Sequence, residues 1–308
     1  LKKGILGFIM LFISFATGCG EIEQAVITTQ QDTSEVKDGA KARRKDSAAE
    51  METRINDFKG EEAYIVFQKE EMVNSLIYGW ENEDKKISFI YKGEPLTEND
   101  IFSILDTAEL NSSRIPCEGK NILYEEDKKR EEGQFLNMWI EYYADEELFT
   151  ARKTELEEKI EQYGAELARQ GIQDSKGLYE VIYSFVIEKT QYDETLNALT
   201  GTERLTKDMH FDRTAYGAFV GGQTVCTGYA RGFKALCDYL ELPCYITAGT
   251  KDGREHAWNV VKIGKEHLYI DCTLADTGYT KEDTFLIDKA QLEHLGYEIN
   301  EYFLQPDE

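Results

Sequence analysis

Positive charge is scarce in this chain of 308 residues: 35 Lys and Arg stand against 59 Asp and Glu, a net charge of −24. A surface this acidic repels phosphate backbones, which excludes nucleic acid as a general partner. It is repelled by anionic lipid too, so membrane attachment would need something other than a basic patch. The one long apolar run, Ile5 to Phe15, falls well short of the ~20 residues of a membrane span. Paired Cys-x-x-Cys and His-x-x-x-His spacings are missing, and with them the usual zinc motifs. No loop has the oxygen-ligand spacing of a calcium site, and no motif implies a cofactor. Six cysteines in a chain of this length are too few and too scattered for a disulfide scaffold.

At the N-terminus, Lys2 and Lys3 precede the apolar run, and Ala16-Thr17-Gly18-Cys19 follows it. A short basic segment, a short apolar one and small residues before a cleavage point make a secretory signal. The last four residues resemble a bacterial lipobox, whose Cys becomes the lipid-modified first residue. The expected organisation is a lipoprotein signal over 1–18, a polar flexible tether over 19–60, a small α+β domain over 61–145, and the chemistry within 146–308. This implies an extracytoplasmic protein held at the cell membrane through lipid on Cys19. Length alone suggests about two domains.

The tether is too polar to bury a core, and its last part, Ala49 to Phe58, reads as a frayed helix. Ala63–Phe67, Lys86–Tyr91 and Leu136–Tyr143 read as strands. Thr97 caps a helix carrying Ile101, Ile104 and Leu105. Glu146 to Gly171 reads as a long amphipathic helix with Phe149, Leu156, Ile160, Tyr163 and Leu167 on one face. A second helix follows, with Leu178, Val181, Ile182, Phe185 and Val186 on one face.

Three later segments supply the residue types of a thiol enzyme: Gly221-Gly222-Gln223-Thr224-Val225-Cys226-Thr227-Gly228-Tyr229-Ala230, Glu255-His256-Ala257-Trp258-Asn259, and Tyr269-Ile270-Asp271-Cys272-Thr273. Cys226 offers a nucleophile, His256 a base and Asp271 a group to orient the base. Ala230, Phe233 and Cys237 follow Cys226 at helical spacing, so the sulfur sits at a helix start, where the dipole and free N–H groups favour thiolate. Those N–H groups can also hold an oxyanion, with Tyr216 or Gln223 as a second donor. Trp258 and Tyr229 are candidates to line the cleft, although both types also serve as packing residues. Cys237, Cys272 and Cys117 read as core or incidental residues.

Taken in order, Cys-x-Gly-Tyr-Ala, His-Ala-Trp-Asn and Asp-x-Thr resemble the motifs of the transglutaminase-like superfamily, in particular its bacterial secreted members. Thr190-Gln191-Tyr192-Asp193 and Ala215-Tyr216-Gly217 resemble segments that precede the Cys in these proteins. The resemblance spans about residues 175–280. It implies an α+β, papain-like core in which a helix bearing Cys226 packs on an antiparallel sheet bearing His256 and Asp271. It implies acyl transfer, deamidation or hydrolysis through an acyl-thioester, with a protein or peptide at the cell surface as substrate. A peptidase or amidase of the same fold and a silent binding module are the rival readings.

The strand register carries the sharpest expectation. Gly264-Lys265 reads as a two-residue hairpin of type II′ between strands 256–263 and 266–273. Ile263 then faces Glu266, Trp258 faces Asp271 and His256 faces Thr273, all on one side of the sheet.

Overall fold

The computed structural model describes residues 55–58, 61–84, 86–127, 133–199 and 205–304. The signal segment, Cys19 and most of the tether lie outside the described residues. The N-terminal half forms a five-stranded sheet. β1 (Ile55–Phe58) pairs antiparallel with β2 (Glu61–Val66), so the last four residues of the segment expected as a frayed helix form a strand, and its first six lie outside the described residues. A four-residue segment gains a ladder at a sheet edge, whereas a lone helical turn leaves most of its backbone unbonded. β3 (Lys86–Tyr91) runs parallel to β2, which requires the crossover helix α1 (Lys69–Glu81). β4 (Gly119–Asp127) and β5 (Gln134–Tyr142) pair antiparallel, and β5 lies against β3, giving the order β1-β2-β3-β5-β4.

Helix α2 (Glu98–Asn111) joins the two halves. Thr97 caps it by accepting from the Asp100 N–H, and the Asp100 carboxylate accepts in return from the Thr97 N–H. From Ile101 to Asn111 every residue is buried. Such a helix has no solvent face and must be packed on all sides. Its end is tied to the second half by Asn111, whose amide donates to the Ile246 carbonyl and accepts from the Ile246 N–H. One continuous core accordingly runs from Val66 to Leu304, across the expected boundary at 145.

The second half opens with α3 (Glu146–Ala168) and α4 (Ser175–Lys189), each N-capped by an Asp side chain, Asp145 and Asp174. β6 (Gln191–Tyr192) pairs in parallel with β7 (Gln223–Thr224), closing a loop that holds α5 (Glu194–Leu199), α6 (Met209–Asp212) and a π-turn at Gly217–Gly221. Helix α7 (Cys226–Tyr239) follows, buried without a break from Thr227 to Cys237. It packs on a second sheet whose order is β11-β10-β9-β8-β12. Its strands are β8 (Cys244–Lys251), β9 (Arg254–Ile263), β10 (Glu266–Ile270), β11 (Phe285–Ile287) and β12 (Tyr297–Ile299). Short helices α8 (Cys272–Asp276), α9 (Lys281–Thr284) and α10 (Lys289–His294) fill the connections. The architecture is α+β.

The β9–β10 hairpin has the expected parity: Glu266 faces Ile263 and the ladder continues to Ile270 opposite Asn259. Gly264 has φ 62, and Lys265 is not among the described residues with positive φ, as a type II′ turn requires. One expectation fails. β10 stops at Ile270, so Asp271 and Thr273 never enter the ladder opposite Trp258 and His256. Asp271 instead accepts from the Leu274 N–H and caps α8, because an Asp side chain satisfies a helix start better than a strand interior does.

Candidate active site

Cys226 is the first residue of α7 and is half-buried. The chain reaches it through Gly222, whose φ of 76 ends the π-turn in a left-handed conformation that glycine adopts without strain. Two hydroxyls then lock the approach: Thr224 donates to the Asp212 carbonyl and Thr227 to the Arg213 carbonyl. Gly228 is needed because a Cβ there would lie 1.8 Å from Thr224 Oγ1. At this end of α7 the N–H groups of Cys226 and Thr227 come before that of Gly228, the first to bond back to the Val225 carbonyl.

His256 lies on β9 opposite Gly249 of β8. Its Nε2 is 2.6 Å from Asp271 Oδ2. That leaves Nδ1 as the ring nitrogen available to Cys226, and the ring and the sulfur each favour the other's charged form. Both oxygens of the Asp271 carboxylate are engaged: Oδ1 accepts from the Leu274 N–H at 3.0 Å, and Oδ2 accepts from the Tyr297 hydroxyl at 2.8 Å as well as pairing with His256. Asp271 is 3% exposed and Tyr297 2%, so this end of the chain of groups is shielded from water.

Burial works against a thiolate at Cys226. The His256 ring, the Ala257 N–H and the charge of Arg213 outweigh it and hold the thiol below its ordinary value. Burial likewise favours a neutral imidazole, but the Asp271 carboxylate and the Cys226 sulfur raise His256 to about 10. Asp271 is kept low, against its burial, by His256 and by the hydrogen bonds from Leu274 and Tyr297. A lowered thiol beside a raised imidazole favours the thiolate–imidazolium form of the pair. Cys117, Cys237 and Cys272 are instead pushed up by burial.

The other residues singled out from the sequence fall differently. Trp258 is 1% exposed and backs the imidazole, ring centroids 5.9 Å apart, rather than lining an open cleft. Tyr229 is fully buried and donates its hydroxyl to Asp276 at 2.6 Å, a packing role. The Tyr216 hydroxyl donates to Glu155 on α3 at 2.6 Å, which commits the group that would have served as a second oxyanion donor. Gln223 is exposed, and its backbone pairs with Gln191. Tyr297 was not picked out from the sequence: it lies 26 residues beyond Asp271, and only the return of β12 to the edge of β8 brings it back. Among the described residues no three His, Cys, Asp or Glu side chains are placed to hold a metal ion. None of the described helices is long and apolar enough to cross a membrane.

No protein-family model and no curated protein matches the chain. Among solved structures it is similar to one described as a TGase, with 14% identity over 79% of this chain and 69% of that one, at a TM-score of 0.35. It is also similar to a "Putative Cysteine Protease from Cytophaga hutchinsonii", with 14% identity over 57% of this chain and 65% of that one, at a TM-score of 0.33.

Proposed function

We propose that the chain is a transglutaminase-like thiol enzyme, acting on carboxamide or peptide carbonyls through an acyl-thioester at Cys226. The observation that carries this is the His256–Asp271 hydrogen bond set beside Cys226, with the sulfur at a helix start and the thiol lowered while its imidazole is raised. In this reading the Cys226 thiolate attacks the carbonyl carbon and a C–S bond forms. The oxyanion is stabilised by N–H groups at the start of α7. Collapse of the tetrahedral intermediate breaks the C–N bond, and the His256 imidazolium donates its proton to the departing amine or ammonia. An amine or water then attacks the thioester while His256 takes its proton, and the thiolate leaves. Asp271 keeps a charge facing Nε2, so Nδ1 is the nitrogen that exchanges protons with the sulfur side.

The cell-surface location and the lipid anchor at Cys19 belong to the same reading. They rest on Ala16-Thr17-Gly18-Cys19 after a short apolar run. Radiolabelled palmitate should enter the wild type and not Cys19→Ser. For the chemistry, intact mass is measured after incubation with a glutamine-containing peptide, with and without a primary amine. Amine gain, a deamidation shift of about one dalton, or cleavage of the peptide identifies the acceptor, and each should vanish in Cys226→Ala. A wild type that changes neither peptide nor amine, and whose Cys226 alkylates no faster than an ordinary thiol, would sink the reading.

A further inference from the structure

Behind the start of α7 lies a group of charges that the proposed chemistry does not use. Arg213 is 0% exposed, and its Nε donates to Glu118 Oε1 at 2.8 Å. Glu118, itself 5% exposed, meets His210 Nδ1 through Oε2 at 2.9 Å, and its N–H donates to the His210 carbonyl. His210 is stacked on Tyr143. One turn along α7, Arg231 donates to Glu109 Oε2 at 2.9 Å. Glu109 and Glu118 come from the N-terminal half, whereas Arg213 and Arg231 flank Cys226. Buried ion pairs of this kind are weak sources of stability relative to apolar packing, so their presence calls for another reason.

The geometry supplies one. The Arg213 carbonyl accepts from Thr227, the residue after the nucleophile, and thereby fixes the first turn of α7. The Arg213 guanidinium charge acts on the Cys226 sulfur in the direction that favours thiolate. Glu118 restrains that guanidinium from 95 residues away. We propose that Arg213 is a positioning residue for the Cys226 nucleophile, holding the sulfur's helix start and its counter-charge in place, and that Glu118 sets how much of that charge the sulfur feels. The N-terminal half is then part of the catalytic apparatus rather than an appended module. The inference rests on the thiol-enzyme reading of Cys226.

The test is the pH dependence of Cys226 alkylation by iodoacetamide in the full chain, read by peptide mass spectrometry between about pH 4 and pH 9. A unit charge at ~10 Å and an effective dielectric of ~20 corresponds to about one pH unit. Arg213→Met should move the midpoint up by about that much, and Arg213→Lys should stay close to wild type. Glu118→Gln, which removes the negative charge that Arg213 Nε meets at 2.8 Å, should move it down. A purely structural role predicts a shared rise with lowered thermal stability in all three variants. That pattern, or an unmoved midpoint in Arg213→Met, overturns the proposal. Should Arg213→Met fail to fold, Glu118→Gln decides: a downward shift supports the proposal, and an unchanged or raised midpoint overturns it. An ordinary wild-type midpoint that ignores His256→Ala defeats the thiol-enzyme reading itself. A depressed, His256-dependent wild-type midpoint with an unmoved Arg213→Met defeats only this inference.

Discussion

Asp271→Asn is a near-isosteric change at a 3% exposed site, and its effect can be worked out atom by atom. Asp271 Oδ1 caps α8 through the Leu274 N–H, whereas Oδ2 faces both His256 Nε2 and the Tyr297 hydroxyl. An Asn that keeps the cap must place its oxygen on Leu274, which turns its NH2 toward His256. Nε2 then becomes an acceptor, and the ring proton is forced onto Nδ1, the nitrogen that faces Cys226. A ring in that tautomer cannot take a proton from the thiol. The lost charge acts in the same direction. At a charge separation of about 4 Å and an effective dielectric of about 20, a carboxylate favours imidazolium by about 4 kcal/mol, or about three pH units. His256 would fall from about 10 toward its ordinary value, and the thiolate would lose its counter-ion. Turnover of a glutamine peptide with a primary amine should drop by about three to four orders of magnitude. Circular dichroism should be unchanged, because the cap and the packing remain. A folded Asp271→Asn protein within tenfold of wild-type turnover would refute both the tautomer argument and the role given to Asp271.

Two further outcomes follow from packing and burial. Gly228→Ala would place a Cβ 1.8 Å from Thr224 Oγ1 and 2.8 Å from the Thr214 carbonyl oxygen. Overpacking of this kind costs about 1–3 kcal/mol, so a clear fall in thermal midpoint is expected, and an unchanged midpoint would contradict the tight approach at the α7 start. Asp106 on α2 is 6% exposed; burial raises it to about 7, partly offset by the Tyr302 hydroxyl at 2.6 Å, with Glu109 adding to the rise. Its folded state keeps a proton that the unfolded chain releases near pH 4, so its contribution to stability is lost as pH rises from about 4 to about 7. Asp106→Asn should therefore exceed wild type by about 2 kcal/mol at pH 5 and by up to about 4 kcal/mol at pH 8 in urea unfolding. A gap of equal size at both pH values would count against the raised carboxyl.

What could be read from the sequence was what local rules govern. Gly264-Lys265 fixes the β9–β10 parity within four residues, and Thr97 with Asp100 writes the start of α2 in three. The strand at Ile55–Phe58 was hidden because its backbone partners, rather than its composition, decide its state. β4 was hidden as well, since Gly119-Lys120-Asn121 at its start and Glu125-Glu126-Asp127 at its end dilute its apolar pattern. In the site, helix spacing after Cys226 located the sulfur. The sequence places Asp271 in a strand because alternation is carried on to Thr273, three residues past Ile270, where capping of α8 takes over. Tyr297, Glu118 and Arg213 left no local trace, because each meets its partner through chain topology.

The burial of α2 on every side has a consequence in time. Its Asn111 contact with Ile246 spans 135 residues of sequence. At synthesis rates of about 5–20 residues per second, the face of α2 that this contact covers would wait on the order of 7–27 seconds for its partner. During that interval the nascent N-terminal half presents an apolar helix face carrying Glu109, and, beside it, Glu118 without its arginine. Its completion is therefore set by arrival of the last third of the chain, and a holding factor that shields this face would raise the yield of folded protein without touching the finished site.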